Sequence, residues 1–437
     1  MKDILHKISQ TWIMGVTLMQ KLVIRGEKRL GGEIAVQGAK NSALALLAGC
    51  VLCSGEVVLR NCPALSDVFA ACRILNRLGC KSRYCEHCVQ VNAGAVSECA
   101  VPEDLMREMR SSIVFLGAVL GRKGQCELSY PGGCELGPRP IDMHLSALEQ
   151  MGVRITEEYG VLCCECPYGL HGAKISLGFP SVGATENIML AAVLAKGETV
   201  IHNAAREPEI TDLANFLNCC GARISGQGTS TVVISGVERL HGCEYEVMPD
   251  RIVCATFMAA AAITGGELDL KNARACDLEA VIPVFEQMGC QVFTYDERIY
   301  INAKRPLKAV GTIRTLPYPG FPTDAQAVVM AALTKAKGTS VVVENIFSSR
   351  YRHVDELVRM GADIKTEGKV AVIEGVKKLY GARVRASDLR GGAALVLAGL
   401  AAQGETEVEK ICYIDRGYDD IEKCLRDVGA DICRKTC

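Results

Sequence analysis

Apolar residues along this chain gather in long runs, not in the one-sided stripe of a surface helix. Ala43–Cys53, Ile188–Ala195, Phe257–Ile263 and Ala393–Ala402 are rich in Ala and Leu and carry almost no charge. A helix that is apolar on nearly every side belongs inside a protein, covered by other elements. These runs stop at a glycine and a strand-like stretch follows, as in Gly55-Glu56-Val57, Gly197-Glu198-Thr199-Val200, Gly265-Gly266-Glu267 and Gly404-Glu405. Glycine after a helix supplies the left-handed cap that ends it.

A second signal recurs further along. A helix ends in a bulky residue, then Gly, then a small residue and a strand: Leu78-Gly79-Cys80, Met151-Gly152-Val153, Cys220-Gly221-Ala222, Met288-Gly289-Cys290, Met360-Gly361-Ala362 and Val428-Gly429-Ala430. These glycines are spaced by about 70 residues, a period that marks structural repeats. Each unit reads as strand, helix, strand, helix and two short strands. Six units in a chain too long for one core predict two α/β domains of three units, each related by a pseudo-threefold.

The repeat also aligns the starts of the buried helices. They carry Lys40-Asn41, Arg110-Ser111, Ser181-Val182-Gly183, Asp250-Arg251, Thr323-Asp324 and Asp388-Leu389-Arg390. A helix N-terminus bears partial positive charge, so a cation there works against stability. Cations at four of the six starts point instead to an anion held jointly by free N–H groups and side chains. We expect the helix starts of both domains to face a shared cleft.

Composition adds limits. A net charge of -1 offers no global attraction for nucleic acid or an acidic membrane, so an anionic partner must be met by local clusters. Met1 to Met19 contains an apolar stretch too short to span a bilayer and reads as a disordered extension. Twenty-three cysteines in a chain of this length favour a reducing cytosol, with most thiols acting as small core hydrophobes. Cys50 and Cys53 lie in an apolar run and read as core. Cys85-Glu86-His87-Cys88 has zinc-like spacing but no second pair nearby, so no metal is expected.

One cysteine differs from the rest. Tyr130 to His144 holds three glycines and three prolines around Cys134, which excludes a helix or a central strand. Long, specially shaped loops carry binding and catalytic groups, and Arg139 would lower the pKa of a neighbouring thiol. His144 allows a Cys–His nucleophile pair, the weaker reading, because a Pro-constrained loop separates the two and no hydrolase signature surrounds them.

Gly38-Ala39-Lys40-Asn41, Met109-Arg110-Ser111-Ser112-Ile113, Pro131–His144, Pro180-Ser181-Val182-Gly183-Ala184-Thr185, Asn203–Ile210, Gly320-Phe321-Pro322-Thr323-Asp324, Arg350, Asp388-Leu389-Arg390 and Asp415-Arg416-Gly417-Tyr418 follow in one order. Together they resemble the UDP-N-acetylglucosamine 1-carboxyvinyltransferase family, from Lys21 to the C-terminus. The resemblance implies the inside-out α/β barrel fold of enolpyruvyl transferases. It places the extension at 1–20, a first domain at 41–248 with the Cys134 loop, and a second at 21–40 plus 249–437.

The resemblance further implies a cytoplasmic, monomeric enzyme of peptidoglycan synthesis with no metal or cofactor. It would transfer enolpyruvyl from phosphoenolpyruvate to the 3-hydroxyl of UDP-N-acetylglucosamine through a tetrahedral ketal, releasing phosphate. Lys40, Arg139 and Arg416 would hold the phosphate of phosphoenolpyruvate, with Asn41 beside Lys40 and Arg350 and Arg390 toward the carboxylate. Arg110, Arg139, Pro140, Ile141, Asp142, Ser181, Val182 and Gly183 would hold the nucleotide, with Asp324 and Ile346 near the sugar. Asp324 would be the base, and Cys134 the proton donor to the methylene carbon and the target of fosfomycin. Ala45, where the family often has proline, and the N-terminal extension depart from the pattern. The alternatives are an enzyme like 5-enolpyruvylshikimate-3-phosphate synthase, or a paralogue that binds a nucleotide sugar without turning it over.

Overall fold

The structure is a computed structural model that describes residues 20–132 and 141–436. Residues 1–19 of the N-terminal extension, Gly133, Cys134, Arg139, Pro140 and Cys437 therefore lie outside the described residues, whereas Gln20, counted with the extension, opens a strand. The chain divides into two compact units: one runs from Gln37 to Pro249, and the other joins the residues up to Val36 with those from Asp250 on. Each has its own hydrophobic core.

Three buried helices fill the middle of each unit. In the Gln37–Pro249 unit they are α1 (Lys40–Cys50), α2 (Phe115–Lys123, entered through a tight turn at Arg110–Val114) and α3 (Val182–Ala192). In the other they are α4 (Arg251–Thr264), α5 (Thr323–Leu333) and α6 (Leu389–Ala401). Among the described residues, the sheets around them include six of four strands, all of one topology. A short edge strand pairs in parallel with the strand that follows the central helix, and two antiparallel strands complete the sheet. In the sheet of Lys174–Ser176, Glu198–His202, Thr231–Ser235 and Arg223–Ser225, Ile175 pairs with Ile201 and Ile201 with Val232. Helices inside and sheets outside make the inside-out arrangement that the apolar runs and the resemblance imply. The sheets stay separate and open; five of the repeats follow the expected βαβαββ order, and the last ends one strand short, its sheet completed from the start of the chain.

The crossing between units explains where their boundaries fall. Gly31–Ala35 leads by sequence into α1, yet it pairs in parallel with Glu267–Lys271, the strand after α4. Glu244–Glu246 leads into α4, yet it pairs with Glu56–Arg60, the strand after α1. Each edge strand thus belongs to the unit whose sheet it joins, and the chain passes from one unit to the other after Val36 and again after Pro249. Lys40 therefore falls in the Gln37–Pro249 unit, whereas the division expected from the sequence put it in the other. Ala39 N–H donates to Met248 O at 2.7 Å, which ties the two crossing segments together. Gln20–Arg25 closes the last sheet by pairing with both Glu405–Glu409 and Asp431–Thr436.

Close packing of the helices depends on small residues. A side chain on Gly117 in α2 would meet the backbone oxygen of Asn187 in α3 at 2.2 Å. The contact lets Gly117 N–H donate to Asn187 Oδ1 at 2.6 Å. All described cysteines are free, and Cys50 and Cys53 are fully buried, as their apolar run predicts. Cys85 and Cys88 pair across a two-residue turn in which Glu86 and His87 both have positive φ. Among the described residues, no set of three or more His, Cys, Asp or Glu could hold a metal ion, and no helix is long and apolar enough to cross a membrane.

Candidate active site

In the unit that begins at Asp250, the starts of α4, α5 and α6 converge. Asp324 opens α5, where a carboxylate suits the helix dipole. Its Oδ1 accepts from Arg350 Nη2 at 2.9 Å and its Oδ2 from Arg390 Nη2 at 3.3 Å. Both arginines are nearly inaccessible to water, whereas the Asp324 side chain keeps 30% of its surface exposed. The exposed member of the cluster is thus the anion, with two buried cations behind it. Arg350 is fixed by bonds from Nε and Nη2 to Thr323 O at 3.3 and 3.1 Å. Arg390 is held by Tyr418, whose hydroxyl lies 3.3 Å from Nη1 and 2.9 Å from Thr256 Oγ1 on α4. Burial opposes the Arg390 charge, but Tyr418, Asp324 and Asp250 outweigh it and raise its pKa.

Of the other expected residues of this unit, Ile346 is tied to the same cluster through Glu344, and Arg416 lies close to Tyr418 in sequence. Arg416 is half-buried at the end of the turn Ile411–Arg416, two residues before Tyr418. Ile346 is half-buried in a loop organised by the buried Glu344. That carboxylate accepts Thr315 Oγ1 at 2.9 Å, Thr323 Oγ1 at 3.0 Å and the Ile346 N–H at 2.8 Å. One side chain therefore sets both the Ile346 loop and the start of α5. Asp388 caps α6 by accepting the N–H groups of Arg390 and Gly391, each at 3.0 Å, and lies 3.9 Å from Arg350 Nη1.

In the Gln37–Pro249 unit, three expected nucleotide-binding segments are joined through one buried amide. Asn187 Nδ2 donates to Ile113 O at 2.9 Å, in the turn that begins at Arg110, and to His144 Nδ1 at 2.7 Å. Because Gly117 occupies Asn187 Oδ1, the amide nitrogen is the donor, and the imidazole proton resides on Nε2. Burial and the Arg110 charge push the His144 pKa down to about 4, so the ring is neutral. Its Nε2 lies 3.4 Å from where a side chain on Gly183 would begin. Ile141 is buried and precedes the helix Asp142–Gln150, while Asp142 is exposed. Ser181 caps α3 by accepting the Ala184 N–H at 3.3 Å; Val182 and Gly183 complete the half-exposed start of that helix. The committed Nδ1 of His144 fits a structural role better than the Cys–His pair.

The first arm of the cysteine loop is described as far as Gly132. Pro131 O accepts Arg110 Nη1 at 3.2 Å, and Gly132 N–H donates to Met106 O at 3.1 Å. A side chain on Gly132 would meet Arg107 O at 2.4 Å, so this approach requires glycine. Lys40 opens α1 almost fully buried, and its Nζ lies 2.7 Å from Asp67 Oδ2, itself buried at the start of Ser66–Arg77. The start of α1 is also held by Ser42, whose hydroxyl donates to Asp212. Asn41 is exposed. Asp67, Glu344 and Asn187 were not expected from the sequence, because their partners lie far away along the chain. Asp388 and Tyr418 fall within quoted motifs but had no role assigned.

Comparison with known proteins gives this arrangement a family. The profile of the family described as EPSP synthase (3-phosphoshikimate 1-carboxyvinyltransferase) matches residues 24–425. Among solved structures, the enolpyruvyl transferase NikO from Streptomyces tendae superposes with a TM-score of 0.87 at 24% identity, over 96% of this chain and 100% of its own. EPSP synthase from Acinetobacter baumannii superposes at 0.77 with 20% identity, over 96% and 100%. Fold and profile thus define an enolpyruvyl transferase. UDP-N-acetylglucosamine 1-carboxyvinyltransferase 2 of Caldanaerobacter subterraneus subsp. tengcongensis is 52% identical over 95% of this chain and 100% of its own length. The enzyme of Nitratidesulfovibrio vulgaris (strain Miyazaki F) is 49% identical over 95% and 99%. The chain belongs to the UDP-N-acetylglucosamine 1-carboxyvinyltransferase family.

Proposed function

We propose that this chain transfers the enolpyruvyl group of phosphoenolpyruvate to the 3-hydroxyl of UDP-N-acetylglucosamine, releasing phosphate, in peptidoglycan synthesis. The observation that carries the reading is Asp324 held between Arg350 and Arg390, in a chain whose relatives bear that activity in their names. A carboxylate clasped by two guanidiniums is a poor base, because both cations favour its ionised form. The carboxylate of phosphoenolpyruvate competes for the same guanidiniums. As Arg350 and Arg390 turn to it, Asp324 is released to accept the sugar hydroxyl proton.

The remaining roles follow from charge and reach. Lys40, Arg139 and Arg416 neutralise the phosphate, and Asn41 follows Lys40 at the α1 start. Arg110, Arg139, Pro140, Ile141, Asp142 and Ser181–Gly183 hold the nucleotide, with Ile346 near the sugar. Proton delivery to carbon and proton removal from oxygen need separate groups, so Cys134 supplies the proton to the methylene carbon while Asp324 takes one from oxygen. Clustered cations stabilise the charge that builds up at the ketal. The protein acts as a cytoplasmic monomer, and Cys134 is the residue fosfomycin alkylates. Cys134→Asp keeps turnover and loses fosfomycin sensitivity; a variant inhibited as readily as the parent contradicts that assignment.

The test is phosphate release from phosphoenolpyruvate with each acceptor in turn. Release with UDP-N-acetylglucosamine and not with shikimate 3-phosphate supports the reading. The reverse preference supports the sister enzyme, and binding of the nucleotide sugar without release supports a paralogue that only binds.

A further inference from the structure

The helix Val354–Arg359 begins at His353, three residues beyond Arg350. His353 is completely inaccessible to water, and neither ring nitrogen completes a hydrogen bond. Two unmet polar atoms in an interior are costly, and native proteins keep few of them. Leucine would fill a similar volume at no such cost, so packing alone gives no reason for an imidazole here.

Its surroundings give one. The His353 Cβ lies 2.9 Å from where a side chain on Gly391 would begin, and Asp388 Oδ2 lies 2.7 Å from the same point. Glycine at 391 lets imidazole and carboxylate share one side of the first turn of α6. Burial pushes its pKa down to about 4 and the Arg350 charge adds to that, while the Asp388 carboxylate and the Arg350 backbone, close to the ring without completing a bond of full geometry, oppose it, so the ring is a neutral donor and acceptor. Asp388 Oδ1 already accepts two backbone N–H groups and faces Arg350. Its Oδ2 accepts only the Ser387 hydroxyl, at 3.2 Å.

We propose that His353 is a positioning residue for the Arg350–Asp388 pair, donating a ring N–H to Asp388 when Arg350 turns from Asp324 to the carboxylate of an anionic substrate. The imidazole then holds Asp388 in place as the guanidinium shifts, and its unmet nitrogens in the unliganded protein are the groups kept ready for that bond. The inference rests on the reading of Arg350 as a carboxylate-binding residue.

His353→Leu and His353→Gln in the full chain test it, with KM for each substrate, kcat and thermal unfolding measured on both. The leucine variant should unfold no earlier than the parent, yet its KM for phosphoenolpyruvate should rise roughly tenfold, as for the loss of a hydrogen bond to a charged group. KM for UDP-N-acetylglucosamine should stay the same, and glutamine should recover most of the loss. A leucine variant with unchanged KM for phosphoenolpyruvate overturns the proposal, as does early unfolding with both KM values raised alike, or a glutamine variant no better than leucine. Parent protein that releases no phosphate with any acceptor sinks the functional reading itself, which separates the two failures.

Discussion

At the residue scale, the candidate site is made of charges whose partners come from distant stretches of chain. Asp324 was legible because it opens a buried helix within a recognisable motif. That it is clasped by Arg350 and Arg390 was not, since pairs 26 and 66 residues apart leave no local pattern. If Asp324 is the base, Asp324→Asn should lower kcat by about 10²–10⁴, because proton transfer by a placed group is worth that much. Lys40 gives a sharper case. Its partner Asp67 is as buried as the lysine, so Asp67→Asn leaves a buried cation without its anion. That change should cost about 3–5 kcal/mol of stability by denaturant titration and raise KM for phosphoenolpyruvate. A variant as stable as the parent would show that Lys40 is neutralised by other groups.

At the element scale, the six central helices were the most legible part of the fold, since a run apolar on all sides has few places to go. How closely they approach was hidden, because it depends on single glycines and amides. Gly117→Ala should force α2 and α3 apart and break the bond to Asn187, costing about 1–3 kcal/mol. Because Asn187 also orients His144, nucleotide affinity should fall with it. A second consequence concerns Glu186 on α3. Burial, together with Glu209 and Glu207, raises its pKa to about 8, so it is protonated in the folded protein at neutral pH. As pH climbs from about 4.5 to about 8, the unfolded chain loses this proton and the folded one keeps it. Folding stability from this group therefore falls across that window. Glu186→Gln should flatten the decline in denaturant midpoints measured from pH 5 to 8; an unchanged slope would mean that the carboxyl is already ionised.

At the scale of the whole molecule, periodic glycines revealed six units, and with the length of the chain they predicted two domains. That the segment from Lys21 joins the residues after 249 was expected from the resemblance; where the chain crosses, after Val36 and not after Lys40, was not legible. Gly31–Ala35 and Glu244–Glu246 are each short, and nothing in their sequences says which partner strand they will choose. That choice is made by the sheets, and it puts Lys40 in the unit of Arg110 while Asp324, Arg350, Arg390 and Arg416 belong to the other.

The central step of the proposed reaction is addition of a proton to the methylene carbon followed by elimination of phosphate. In deuterated water that sequence passes through a methyl group containing solvent hydrogen. The measurement is mass spectrometry of the nucleotide-sugar product formed from phosphoenolpyruvate and UDP-N-acetylglucosamine in D2O. The account predicts an enolpyruvyl ether of the sugar carrying deuterium in its vinyl methylene group. An enolpyruvyl product free of deuterium, or no product at all, would contradict it.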